Sequence, residues 1–154
     1  MQELSVYEEA CRVQFRYAQG VDRRDWDLYR SVMTDQVLID FRSFGYGSVM
    51  TMSAQDWVRQ VRKVMDGLDA SQHLISNCVL HPDGDRLRLQ AYVMAQHVLR
   101  TPGEPDRMYL VGGTYDNLLE RTEDGLRLAE ITFGQLWVDG DPTVMTDAVA
   151  RARQ

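Results

Sequence analysis

Along this chain of 154 residues the apolar positions first recur every three to four residues and, beyond about residue 70, alternate with polar ones. Val6, Ala10, Val13 and Tyr17 fall on one helical face and Ser5 with Glu8 makes a capping box, so the spacing predicts a helix over about residues 6–19 with Gly20 as its stop. Trp26, Tyr29 and Val32 or Met33 predict a short second helix over residues 25–33 capped by Asp25, and residues 36–41 begin a strand. A third helix starts at Ser53, where Ser53 and Asp56 form a second cap pair, and it turns Trp57, Val58, Val61, Val64, Met65 and Leu68 inward. Four long runs follow, at about residues 71–81, 86–100, 108–121 and 126–138, and the breaks Pro82-Asp83-Gly84-Asp85, Pro102-Gly103-Glu104-Pro105 and Glu123-Asp124-Gly125 read as hairpin connections. The order ααβαββββ is an α+β pattern, in which a curved sheet wraps around helices and leaves a pocket between them. Residues 139–154 carry Val144, Met145, Ala148 and Val149 at helical spacing, a tail that caps the pocket as a lid or packs on a neighbouring subunit.

The alternation is cleanest over residues 86–100. Leu87, Leu89, Ala91, Val93, Ala95, His97 and Leu99 share one face, with Arg86, Arg88, Gln90 and Gln96 on the other. His97 therefore points with the apolar set. A histidine there is more often a satisfied core or cavity group than a catalyst. His73 shares its strand face with Ile75, Asn77 and Val79 and carries the same two readings, whereas His81, beside Pro82 at a turn, reads as solvated. Gly112-Gly113 suits a bulge.

Composition narrows the function classes. With 44% hydrophobic and 26% charged residues, no internal repeat and no linker, the chain reads as one domain over residues 1–154. Glu3, Glu8, Glu9, Arg12 and Arg16 interrupt the first twenty residues, and no later run is apolar enough to span a bilayer, so no membrane partner and a cytoplasmic location are expected. A net charge of −6 with scattered arginines argues against a nucleic-acid partner. Cys11 and Cys78 belong to no metal-binding spacing and read as small buried apolar residues. Three histidines with Asp22 lack ligand spacing too, and no phosphate-binding glycine loop occurs, so neither metal nor nucleotide nor any other cofactor is expected.

Asp22, His73 and His97 come from separate predicted elements and together would make a general acid/base site. Asp22 also has a plainer reading as a helix cap, but Asp25 is better placed to cap the helix beginning at Trp26. Pairing with a histidine explains Asp22: a carboxylate accepting from one imidazole nitrogen fixes the tautomer and leaves the other nitrogen as a base.

At these residues the chain resembles the scytalone dehydratases, SnoaL-like members of the superfamily shaped like nuclear transport factor 2. The segment VDRRDWDLYRSVMTDQVLIDFRSF, residues 21–44, is similar to that family's run around its catalytic aspartate; SAQDWV matches the following helix start, SQH at Ser71 to His73 the first catalytic histidine motif, and His97 the second histidine. The resemblance implies a cone-shaped, antiparallel or mixed sheet around three helices. It implies that Asp22 orients His73, that His73 takes the proton beside a ketone and returns it to the departing hydroxyl, and that His97 holds or protonates the leaving group. Asn117, in GGTYDN, would anchor a substrate hydroxyl, and Tyr17 and Phe44 would line the pocket. The implied reaction is a cofactor-free elimination of water from a small hydroxy-ketone or polycyclic substrate. The implied assembly is a homo-oligomer, a trimer, with a dimer left open by the sequence itself.

Two positions depart from that family. Val21 and Phe41 stand where it has tyrosines that hold a water on the substrate carbonyl, and Tyr46 and Tyr115 are the candidate substitutes. Losing such donors costs on the order of 100-fold or more in rate, so another donor acts or the substrate differs. Relatives on this fold also eliminate hydrogen chloride, dehydrate bile acids or isomerise ketosteroids, and others are non-catalytic binding or assembly modules.

Overall fold

In the computed structural model, which describes residues 5–154, the chain runs α1 (Val6–Arg23), α2 (Trp26–Ser31), β1 (Met33–Asp40), a 3-10 turn (Arg42–Phe44), β2 (Met50–Ser53), α3 (Ala54–Met65), β3 (Ala70–Asp83), β4 (Arg86–Leu99), β5 (Arg107–Thr122), β6 (Gly125–Gly140) and α4 (Thr143–Arg151). Glu3 and the rest of residues 1–4 of the domain reading lie outside the described residues. The six strands form one mixed sheet in the order β2-β1-β6-β5-β4-β3, in which only the β1–β6 pair is parallel. This is the α+β arrangement of helices on a curved sheet. Both cap pairs form as the sequence implies, Ser5 with Glu8 and Ser53 with the Asp56 backbone, and Asp25 accepts from Leu28 N at 2.9 Å.

One core joins the layers. Trp57, Tyr29, Met33, Ile39, Leu118, Leu128 and Ile131 are all but sealed, each such apolar side chain contributing about 1.5–3 kcal/mol by burial. Trp57 Nε1 donates to Tyr29 Oη at 3.0 Å, so the two largest buried aromatics leave no polar atom of this pair unpaired.

Three local departures from the sequence reading matter. First, Gly20 does not stop α1: the helix continues to Arg23, and Arg24 ends it in the left-handed region at φ 58°. A Cβ on Gly20 would lie 2.7 Å from Tyr29 N, so this glycine is there to let α2 cross close to α1. The extra turn puts Asp22 on a helix and not in a loop. Second, β2 is a four-residue strand beside β1 that is too short to show a period. Third, Asn77, at φ 53°, is the extra residue of a bulge between Ser76 and Val79. Asn77 and Val79 consequently turn to solvent and do not share the face of His73, while Cys78 and Leu80 turn inward.

The tail takes the helical form its spacing implies. It forms α4, with Val144 and Ala148 fully buried, and Gly67 lies so close to the Ala148 carbonyl that a Cβ would stand 1.9 Å from its oxygen. The tail is thus docked on its own α3, and its Met145 reaches the cavity described below.

Candidate active site

Asp22 lies one helical turn beyond Ala18, on the side of α1 that packs against β3. Its carboxylate accepts from His73 N at 2.7 Å and from Ser71 Oγ at 3.0 Å, and its Oδ1 lies 2.7 Å from His73 Nδ1. An ionised carboxylate only accepts, so Nδ1 carries the ring proton and Nε2 is left with a free lone pair. Burial opposes ionisation of Asp22, but its hydrogen bonds to His73 and Ser71 and the charge of His73 outweigh burial and hold the carboxyl below its usual value.

His97 stands beside His73 because their strands are paired: His73 faces Ala95 and His97 faces Ser71 across β3–β4, so both rings leave the same side of the sheet. The ring centroids are 5.8 Å apart and nearly perpendicular. His97 is only 3% exposed, and its Nδ1 lies 3.1 Å from the Tyr109 carbonyl oxygen. A carbonyl cannot donate, so this nitrogen also carries the proton, and Nε2 of His97 is an acceptor. Burial, reinforced by repulsion from His73, pushes its pKa down to about 4, so the ring is neutral at pH 7. Of the two roles implied for His97, this state suits holding a substrate hydroxyl and not protonating it.

Both histidines open into a cavity of about 410 Å³, solvent at its mouth included. Phe41, Phe44 and Phe133 make an aromatic wall, with ring centroids 5.6 Å apart for Phe41–Phe133 and 5.8 Å for Phe44–Phe133. Val93, Ala95 and Val111 form the sheet floor, and Met65 and Met145 close it from α3 and α4. Tyr115 supplies the remaining polar group on this wall. Burial raises its phenol well above 10, aided by the nearby Tyr17 and Asp22, so it stays a hydrogen-bond donor.

Other sequence candidates fall elsewhere. Tyr17 is stacked on Tyr29, centroids 4.6 Å apart, and meets Tyr115 edge-on at 6.0 Å, so it backs the cavity wall without lining it. Tyr46 packs behind Phe41 at 6.0 Å and does not replace a missing hydroxyl in the cavity. Asn117 is sealed: its Nδ2 donates to Gln14 Oε1 at 2.7 Å and its Oδ1 accepts from Thr132 N at 3.1 Å. Two residues along β5 from Tyr115, it lies in the layer beneath the cavity and ties α1 to the sheet. Phe133, and any role for Ser71 beyond its place in the SQH motif, escaped the sequence reading. Both were visible in principle, Ser71 two residues before His73 on its face and Phe133 two after Ile131. Among the described residues no three His, Cys, Asp or Glu side chains gather as a metal site, and no helix is long and apolar enough to cross a membrane.

Against known proteins, the SnoaL-like domain profile matches residues 2–132. The Kfla4162 protein from Kribbella flavida is 31% identical over 95% of each chain, with a TM-score of 0.79. A provisionally assigned aromatic ring hydroxylase from Novosphingobium aromaticivorans shares the fold at 21% identity and TM-score 0.77, covering 95% of this chain and 99% of its own. A provisionally assigned scytalone dehydratase from the same organism does so at 12% identity and TM-score 0.72, covering 86% of this chain and 85% of its own. No curated protein matches the sequence.

Proposed function

The chain belongs to the SnoaL-like domain family, and from that premise we propose that it is a cofactor-independent lyase eliminating water from a small cyclic β-hydroxy ketone. The observation that carries this reading is the 2.7 Å Asp22–His73 contact on the wall of an apolar cavity. His73 Nε2 takes the proton from the carbon beside the ketone, and Asp22 offsets the imidazolium charge that forms. Tyr115 donates to the carbonyl oxygen as negative charge gathers there, in place of the hydroxyls absent at Val21 and Phe41. The carbon–oxygen bond breaks, the carbon–carbon double bond forms, and the His73 imidazolium gives its proton to the departing hydroxyl, which leaves as water. His97 Nε2 accepts from that hydroxyl beforehand and orients it.

A second reading, loss of hydrogen chloride from a chlorinated ring, draws support from the protonation of His97. Its Nε2 has no proton to give, which suits a leaving group that needs none, and the mostly apolar wall fits a chlorinated ring.

The test is an ultraviolet assay of the purified protein, without added cofactor or metal, against hydroxy-tetralones, other β-hydroxy ketones and chlorinated cyclohexanes. A conjugated product confirms dehydration, and released chloride selects the second reading. Absence of both, with no exchange of the α-hydrogen in heavy water, points instead to a binding or assembly module.

The outer sheet face supports self-association, for which the family resemblance implies a trimer and the sequence leaves a dimer open. Leu74, Met94, Gly112 and Trp137 form a cross-strand row, with Leu74 and Trp137 each 45% exposed. Light scattering is expected to give a trimer's mass, and Trp137→Glu to lower it; a wild-type monomer would contradict this.

A further inference from the structure

Arg24 and Ser71 lie outside the cavity, yet they are wired to its dyad. Arg24 occupies the left-handed region at φ 58°, a conformation disfavoured for a non-glycine residue, immediately after the last turn of α1. Its guanidinium is held by five acceptors. Nη1 donates to the Val21 carbonyl at 3.1 Å, the Asp22 carbonyl at 2.9 Å and Ser71 Oγ at 2.8 Å. Nε and Nη2 donate to the carbonyls of Met65 at 2.9 Å and Leu68 at 3.4 Å. The left-handed turn therefore aims the side chain back over the ends of both α1 and α3.

Proton direction along this chain of contacts is fixed by chemistry. A guanidinium only donates, so Ser71 Oγ accepts from Arg24 and turns its own proton to Asp22 Oδ1 at 3.0 Å. That same Oδ1 receives Nδ1–H of His73, while Oδ2 is held by the His73 backbone N–H. No salt bridge joins Arg24 to the Asp22 carboxylate among the described residues, so the two side chains are linked by hydrogen bonds only through the Ser71 hydroxyl, alongside a Coulomb attraction through space.

We propose that Arg24 and Ser71 are positioning residues that form a polarised relay, Arg24 to Ser71 to Asp22, which locks the carboxylate and draws electron density from the oxygen facing His73. Polarised by Arg24, the Ser71 hydroxyl is a stronger donor. Asp22 then accepts from His73 less strongly than a carboxylate with only that partner. The consequence, resting on the dyad reading above, is that the proton gathered by His73 stays on the imidazole and is available for the departing group. Arg24 also binds the carbonyl of Met65, whose side chain lines the cavity, so one guanidinium sets the carboxylate and one wall together.

The test compares Ser71→Thr with Ser71→Val, two side chains of one shape that differ by the hydroxyl. Ring-labelled protein is observed by nuclear magnetic resonance at a pH where His73 is neutral, through correlations from the carbon-bound ring protons to Nδ1. Loss of the competing donor in Ser71→Val is expected to strengthen the His73–Asp22 bond and move Nδ1 to lower field. Ser71→Thr should stay at the wild-type position, and Arg24→Gln should shift in the same sense as Ser71→Val. Identical Nδ1 positions in Ser71→Val and Ser71→Thr would overturn the relay. The readout needs no substrate: a shifted resonance in a protein without eliminase activity sustains the relay and sinks only the proposed reaction, and an unshifted one in an active enzyme does the reverse.

Discussion

His73→Ala is expected to lower turnover on any substrate found by the assay by about 10²- to 10⁴-fold, the usual contribution of a positioned general base. The proton on the reacting carbon has no second taker of equal placement. His97 Nε2 is a free acceptor, but burial has pushed that ring's pKa down to about 4, so it is a much weaker base. Asp22 is engaged on both oxygens. Asp22→Asn should have a comparable effect by another route: an amide nitrogen facing Nδ1 would favour the other tautomer and place the ring proton on Nε2, where a lone pair is needed. Thermal stability of His73→Ala is expected to change little, because Asp22 keeps Ser71 and the His73 backbone N–H as donors and the ring borders an open cavity. A large stability loss with activity retained would assign His73 a structural role and remove it from the chemistry.

What the sequence could say about this site follows the range of its signals. Alternation on β4 correctly turned His97 inward, because every residue from Leu87 to Leu99 pairs with β5 in unbroken register. The same reasoning failed on β3 past Ser76, since one residue in the left-handed region reverses the alternation and leaves no mark in hydrophobicity. Gly20 shows how a local rule loses to packing. Glycine after a helical run ordinarily signals an end, but here the absent side chain admits the α2 backbone, and the helix gains the turn that carries Asp22. Asn117 was matched by motif, but depth along β5 decided its role, because two residues moved it from the cavity wall to a sealed link with Gln14. Arg24 carried no local signal and Ser71 only its shared face with His73: their connection spans 47 positions and exists only once α1 and β3 are packed.

Stability against denaturant is expected to fall by about 2 kcal/mol between pH 7 and pH 5 through His97 alone. Its folded pKa of about 4 lies below the ordinary 6.5, because a protonated ring would sit nearly sealed beside His73, with the added Nε2 proton among mostly apolar groups. Between those values the unfolded chain binds a proton that the folded chain refuses, so stability rises with pH there. The contribution is fully present above about 6.5 and is lost as pH falls towards 4. Asp22 cannot mimic this: its pKa is lowered from 3.8, so its stabilising effect persists above 3.8 and disappears only below that. Urea midpoints measured from pH 4.5 to 7.5 should therefore slope for the wild type and flatten for His97→Asn, whose amide can still donate to the Tyr109 carbonyl but has no proton to take up. Parallel curves for the two proteins would mean that His97 ionises freely in the folded state. Its Nε2 would then carry a proton at the mildly acidic pH where the wild type had been expected to lose stability, and the task of protonating the leaving group would return from His73 to His97.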